Sequence, residues 1–188
     1  MRKRSLAARR ALSPEYRAAA SAAICRKLVR SRQFSRAHRI AVYFANYDEV
    51  DLDAVIRAAW RGGKAVFTPR ILRNEEMFFS EMSADSTLRK NRFGIWESLN
   101  TPYCRPEELD WVIAPLVAFD GALHRIGMGG GYYDRTFAFL KNGGAARKPD
   151  YTGVAFACQK TEEIPANPWD IGVSRIVTEA PVCAVLSV

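Results

Sequence analysis

Two short runs of almost unbroken apolar residues constrain the fold of this chain most tightly: Ile40-Ala41-Val42-Tyr43-Phe44-Ala45 and Trp111-Val112-Ile113-Ala114. A strand with one wet face alternates apolar and polar residues, so a run apolar at every position needs cover on both faces. That is the condition of a strand inside a parallel sheet packed between helices. The first run gives way to Asn46-Tyr47-Asp48-Glu49, a polar turn at its carboxyl end, and the second stops at Pro115. Open α/β sheets place their ligands outside the carboxyl ends of such strands.

The helices that would supply the cover are also legible. Ser13-Pro14-Glu15 combines a capping hydroxyl, a proline at the first helical position and an acid in the first turn, and Ala20, Ile24 and Leu28 extend a stripe to about Arg30. Leu52, Val55, Ile56, Ala59 and Trp60 recur with helical spacing until Gly62-Gly63 stops them. Further strands are expected at residues 64–68, closed by Pro69, and at 77–82, 151–157, 176–178 and 182–186. Residues 85–108 read mostly as loop, and residues 133–140 as a helix. With no internal repeat and no low-complexity linker, the 188 residues read as one domain, 1–188: an α/β, three-layer domain with a mainly parallel central sheet and flanking helices.

Between Phe119 and that last helix lies Gly127-Met128-Gly129-Gly130-Gly131-Tyr132-Tyr133-Asp134-Arg135, which packs four of the chain's twelve glycines into five residues. A strand feeding a glycine-rich loop and then a helix start is a recurrent anion pocket: the backbone approaches the anion closely and its N–H groups point at it. The spacing matches neither a Walker loop, which would end in Gly-Lys-Ser/Thr, nor G-x-G-x-x-G, because Tyr132 holds the third glycine's place. A flexible glycine-rich hairpin is the competing explanation.

Charge favours anionic ligands. Lys and Arg number 28 against 20 Asp and Glu, a net +8. The excess is concentrated in Arg2, Lys3, Arg4, Arg9 and Arg10, all before the first acid at Glu15. These residues suit either a transit-peptide-like leader or a first helix that serves a phosphate site. Nucleic acid is a weaker partner, since no aromatics interleave with them. No apolar stretch approaches the ~20 residues of a bilayer span. The four cysteines, Cys25, Cys104, Cys158 and Cys183, are scattered without a C-x-x-C pair. They fit a reducing compartment better than a disulfide framework or a zinc site.

Several side chains could carry chemistry, each with a plainer alternative. Asp134 beside a phosphate cradle would be repulsive unless a divalent cation lay between them; otherwise it is an acid in a helix's first turn. Arg125 could clamp a phosphate or be a solvated loop arginine. Tyr132 and Tyr133 could stack on a flat heterocycle or pack as rim residues. Asp170, beside Trp169, is a second metal ligand or a turn-forming residue, and Glu49 orients a polar ligand or caps the next helix. Neither His38 nor His124 has a nearby Ser or Cys in a nucleophile-like setting, which makes triad chemistry a poor fit.

Taken together, these features resemble the 5-formyltetrahydrofolate cyclo-ligase family over nearly the whole chain. The resemblance is carried by the Arg-rich start with Ala11-Leu12-Ser13, by residues 40–45 followed by Asp48-Glu49-Val50-Asp51, and by Gly62-Gly63-Lys64 and Pro69. Pro115-Leu116-Val117-Ala118-Phe119-Asp120, the stretch from Arg125 to Arg135, Gln159 and Trp169-Asp170 complete it. It implies an ATP- and Mg²⁺-dependent ring closure in the cytoplasm by a monomer, with small-molecule substrates and neither nucleic acid nor membrane as partner. The formyl oxygen of 5-formyltetrahydrofolate would be phosphorylated and then displaced by the second folate nitrogen.

The same resemblance assigns ATP binding to Arg2, Lys3, Arg4, Arg125, Ile126, Gly127, Met128, Gly129, Gly130, Gly131, Tyr132 and Tyr133. It assigns folate binding to Phe44, Glu49, Met128, Gly129, Gly130, Gly131 and Tyr132, metal binding to Asp134 and Asp170, and catalysis to Arg125, Tyr132 and Asp134. Two departures stand out. Relatives carry a lysine about four residues before the arginine that Arg2 matches, so either the true start lies upstream or Lys3 or Arg4 substitutes. Some relatives also carry basic residues inside the loop, where this chain has Met128 and Gly130. Charge and scaffold alone leave two other functions open: a nucleotide- or nucleic-acid-binding protein without catalysis, and an enzyme like the sugar-phosphate isomerases or CoA-transferases.

Overall fold

The computed structural model describes residues 1–46, 48–72, 76–91, 94–99, 103–142 and 149–180. The basic start folds as helix α1 (Arg2–Arg10), of which only Ser5 and Arg9 are buried. Helix α2 (Pro14–Val29) begins where its cap predicts, with the Ser13 hydroxyl accepting the Tyr16 N–H at 3.1 Å. Its stripe of Ala20, Ile24, Cys25 and Leu28 is buried. A short α3 (Arg32–Arg36), capped by Ser31, leads to β1 (Arg39–Ala41) and then α4 (Asp53–Arg61). At the end of α4 the Gly63 N–H returns to Trp60 O and the Lys64 N–H to Ala59 O, the paired back-bonds of a glycine stop.

Strands β2 (Ala65–Ile71), β3 (Met77–Met82), β4 (Leu88–Lys90), β5 (Trp96–Ser98), β6 (Tyr103–Cys104) and β7 (Trp111–Pro115) follow. After them come β8 (Ala118–Phe119), β9 (Arg125–Ile126), α5 (Tyr132–Thr136), β10 (Asp150–Val154) and β11 (Arg175–Val177). Seven strands form the main sheet in the order β11-β10-β7-β1-β2-β3-β6. The first five are parallel; β3 and β6 add an antiparallel edge. Two hairpins, β4–β5 and β8–β9, stand apart from it.

Alternation along β1 and β7 sorts the core into two layers. Ile40, Trp111 and Ile113 pack with α2 and α4, whereas Ala41, Val112 and Ala114 face Phe137, Ile171 and Val173. One layer is therefore helical, while the other is built from α5 and irregular chain. The β7–β10 ladder is reinforced inside the core by the Trp111 indole N–H, which donates to Thr152 Oγ1 at 2.8 Å.

The structure corrects several boundaries. The first apolar run pairs only over β1 plus one bond from Val42 N–H to Phe67 O; beyond it Tyr43 remains buried but spends its hydroxyl on Val50 O. Pro69 does not close β2. The partnership with β1 ends at Phe67, so a residue without an N–H sits where that flank is open. Residues 85–108 contain β4, β5, β6 and a 3-10 turn at Pro106–Glu108 rather than mostly loop. β4 is exposed throughout and so carries no alternation to read. The expected helix over 133–140 is only the five residues of α5 followed by a 3-10 turn, because Phe137 leaves helical geometry to pack, fully buried, between Phe79 and Tyr151. β10 stops at Val154, and the chain turns at Ala157–Gln159. The strand expected at 182–186 lies outside the described residues.

Among the described residues no helix is long and apolar enough to cross a membrane. Cys25, Cys104 and Cys158 are free thiols; Cys183 lies outside the described residues.

Central strand β10 carries a glycine for want of space. A Cβ on Gly153 would come within 2.6 Å of Leu116 Cδ1 and 3.0 Å of its Cγ, and Leu116 is itself buried. Gly153→Ala is therefore expected to destabilise the protein by about 1–3 kcal/mol through overpacking, read as a lower urea midpoint with an unchanged slope.

Candidate active site

The carboxyl ends of β1, β2 and β7 open into a cavity of about 910 Å³. That is near the top of the range of about 300–1,000 Å³ usual for small-molecule sites. Residues 126–135 form one wall of it. They are placed by the β8–β9 hairpin, whose turn is tied by Asp120. That buried carboxylate accepts the N–H groups of Ala122, His124 and Ile164 and contacts His124 Nδ1 at 2.9 Å. Burial pushes Asp120 up, but the bonds from Ile164 and His124 outweigh it and hold the carboxyl below its ordinary value. Gln159 locks the approach to the hairpin. Its amide donates to the carbonyls of Leu116 and Val117 and accepts the Phe156 N–H, so a buried polar group is fully used as a staple.

Within the loop Gly129 adopts φ 104°, which a side chain tolerates poorly, and a Cβ there would meet the Arg2 guanidinium at 3.3 Å. Among the described residues, none of the backbone N–H groups of residues 127–131 meets a protein acceptor. Arg2 reaches across from α1 and donates Nε–H to Gly127 O at 2.9 Å. The wall is thus a set of free N–H donors with a guanidinium beside it, suited to an anion. Helix α5, at five residues, is too short for its dipole to dominate, contrary to the longer helix expected from sequence.

Arg125 and Asp134 meet on this wall. Arg125 is nearly buried, donates Nη2–H to Asp134 Oδ1 at 2.7 Å and lies over the Tyr151 ring at 5.4 Å, while its Nε finds no partner. The same Asp134 oxygen accepts the Ile171 N–H at 3.1 Å. Asp170 likewise concentrates its bonds on Oδ2, which takes the N–H and the side-chain amide of Asn167. Each carboxylate lines the cavity and has one oxygen free of protein bonds. Among the described residues no group of three or more His, Cys, Asp or Glu forms a ready cation cage. Two single-oxygen carboxylates fit an ion such as Mg²⁺, which keeps its waters and takes its remaining ligands from a bound phosphate.

The opposite wall is largely apolar, with the acid Glu49 on it and Glu97 at its edge. Phe44 and Glu49 stand at the end of β1, and Pro69, Ile71 and Met77 at the end of β2 and start of β3. Glu49 Oε2 accepts the Asn46 N–H at 3.0 Å. Burial pushes its carboxyl above the ordinary value, partly countered by that bond and by Arg9, which lies 3.8 Å away.

Of the residues picked out from sequence, Arg2, Phe44, Glu49, Arg125, residues 126–133, Asp134 and Asp170 all line this one cavity; Lys3 and Arg4 do not. Sequence reasoning missed Glu97, a buried carboxylate of the β4–β5 hairpin that accepts from Ile71 N–H and Asn91 Nδ2 at the cavity edge. It also missed Arg135, whose guanidinium lies 5.0 Å over the Tyr132 ring, and it grouped Arg9 with a leader or a phosphate-serving helix, whereas Arg9 is 4% exposed and bonded to Asp48 at 3.0 Å. A charge inside a run of charges carries no local sign of burial. The acidic pair Asp48-Glu49 was the one available hint that a cation had to sit nearby.

Comparison with known proteins places the chain in a family. The model of the 5-formyltetrahydrofolate cyclo-ligase family matches residues 1–179. A 5-formyltetrahydrofolate cyclo-ligase of Haemophilus influenzae is 36% identical over 154 residues, covering 80% of this chain and 79% of the other. One of Escherichia coli K12 is 34% identical over 178 residues, covering 93% and 96%. The solved 5,10-methenyltetrahydrofolate synthetase of Aquifex aeolicus superposes with a TM-score of 0.82 at 32% identity, covering 96% of this chain and 88% of that one. That of Mycoplasma pneumoniae gives 0.75 at 25%, covering 95% and 96%. Matched in sequence over nearly its whole length and in fold by two solved synthetases, the chain belongs to the 5-formyltetrahydrofolate cyclo-ligase family.

Proposed function

We propose that this protein catalyses the ATP- and Mg²⁺-dependent closure of 5-formyltetrahydrofolate to 5,10-methenyltetrahydrofolate, releasing ADP and phosphate, as a cytoplasmic monomer. The observation that carries the reading is one cavity in which one wall offers N–H donors without a protein acceptor, together with arginines, while the other is largely apolar and carries the acid Glu49. A triphosphate and a pterin need those two walls, adjacent and shared.

In this reading residues 126–133 with Arg2 and Arg125 hold the phosphates, and Phe44 and Glu49 take the pterin, Glu49 accepting from its N–H edge. Met128 and Tyr132 border both ligands. The formyl oxygen attacks the γ-phosphorus and the bond to the bridging oxygen of ADP breaks. The second folate nitrogen then attacks the formyl carbon and loses its proton, and the oxygen departs with the phosphate. Phosphorylation makes a poor leaving group a good one, so the protein's task is alignment and charge neutralisation. Asp134 and Asp170 would hold Mg²⁺, which when bound offsets the negative charge of the phosphate oxygens. Arg125 holds Asp134 through Oδ1 and so fixes its direction.

Purified protein supplied with 5-formyltetrahydrofolate, ATP and Mg²⁺ is expected to generate the near-ultraviolet band of the methenyl product. A flat trace refutes the activity. Asp134→Asn keeps an oxygen for the Ile171 N–H but removes the charge; the expected loss is roughly 100-fold or more in kcat with a native-like unfolding midpoint. Full activity in that variant would remove Asp134 from the metal site. Glu49→Gln is expected to raise KM for the folate about tenfold and leave KM for ATP in place, which steady-state kinetics in both substrates would separate.

A further inference from the structure

Among the described residues Arg9 is the one buried cation, and the mechanism above does not use it. It projects from the last turn of α1, and a buried guanidinium is costly unless it is paired. Its Nη2–H donates to Asp48 Oδ1 at 3.0 Å, and its Nη1 stands 3.8 Å from Glu49 Oε1. The second distance is too long for a hydrogen bond. The guanidinium therefore acts on Glu49 through its charge and leaves Oε1 able to accept from a ligand, while Oε2 is occupied by Asn46 N–H.

We propose that Arg9 is a positioning residue for the folate-reading carboxylate: it fixes the acidic turn beyond β1 and keeps Glu49 ionised inside the cavity. The inference rests on the reading of Glu49 as the pterin's acceptor. The charged and titratable groups facing Glu49 are Arg9 from α1, Asp48 from its own turn, and the phenols of Tyr43 beyond β1 and Tyr133 from α5. Burial and Asp48 both favour a protonated Glu49, and the phenols stay neutral, which leaves Arg9 as the one cation among these groups that opposes them. A protonated Glu49 would present its own O–H to a pterin edge made of N–H donors. Arg10 approaches Asp48 Oδ2 at 3.5 Å but is mostly exposed, so it screens Asp48 without replacing Arg9. The same helix fastens to the other wall through Arg2, seven residues and about 10 Å along its axis. The acidic turn and the glycine loop are thus referred to one rigid element.

The test combines a titration with kinetics. In protein labelled with [¹³Cδ]glutamate, with the Glu49 signal assigned through Glu49→Gln, Arg9→Met is expected to move the Glu49 titration to higher pH, and Arg9→Lys to restore most of it. The sign follows from removing a cation that favours the charged form. The acid limb of kcat/KM for 5-formyltetrahydrofolate should move the same way, with about a tenfold loss at the acid end and no change in KM for ATP. A Glu49 that titrates identically in Arg9→Met and the unsubstituted protein overturns the proposal, as does an acid limb that stays in place. If Arg9→Met does not fold, Arg9→Lys decides by the same two readouts, since a shorter cation must leave a smaller displacement in the same direction. If the unsubstituted protein forms no methenyl product, the cyclo-ligase reading is what fails, and the glutamate titration still decides the Arg9–Glu49 pairing.

Discussion

The structure depends on β7 being paired on both edges and buried on both faces. Its neighbours β1 and β10 are parallel to it, so three carboxyl ends emerge on one side of the sheet. Every residue from Trp111 to Ala114 is at most 1% exposed, and the one polar group among them, the Trp111 indole N–H, is bonded to Thr152. Such a strand cannot slip by one residue without driving its own side chains into the wrong layer. The fixed register lets Leu116 and Val117 present their carbonyls to Gln159, and lets the β8–β9 hairpin carry the glycine loop to a defined place.

Electrostatics takes over where the strands stop. The net charge of +8 is not spread evenly around the cavity. Arg2 and Arg125 stand on the glycine wall and Arg9 behind the acidic turn, each matched by a carbonyl or carboxylate that fixes its direction. Arg125 is spent on Asp134 as much as on any ligand. The loop has no basic residue of its own: Gly127 to Gly131 holds four glycines and Met128. Neutralising an anion there falls to backbone N–H groups and to side chains brought in from elsewhere in the chain. A helix dipole contributes little, given the length of α5.

The features legible in sequence are those set by short-range physics. Ser13 names the start of α2 because a hydroxyl three residues from an N–H is a local bond. Gly62-Gly63 names the end of α4 for the same reason. Residues 133–140 misled because helical spacing was present, whereas Phe137 ends α5 and is buried against Phe79 and Tyr151. The β4–β5 hairpin was hidden because its first strand is wholly exposed and so shows no period. Glu97 was hidden with it.

By itself the sequence determined the class of fold, a mainly parallel sheet demanded by runs apolar at every position. It also marked the glycine loop as an unusual anion wall, and its motifs pointed to the family. Tertiary structure alone decided which charges share a cavity. Arg2 was selected over Lys3 and Arg4 because only one side chain of a helical run faces a given wall. Arg9 reached Asp48 across 39 residues of chain, and Glu49 beside it, because α1 lies against the acidic turn beyond β1. Periodicity is a property of neighbours in the chain, whereas the field at a carboxylate is a property of neighbours in space.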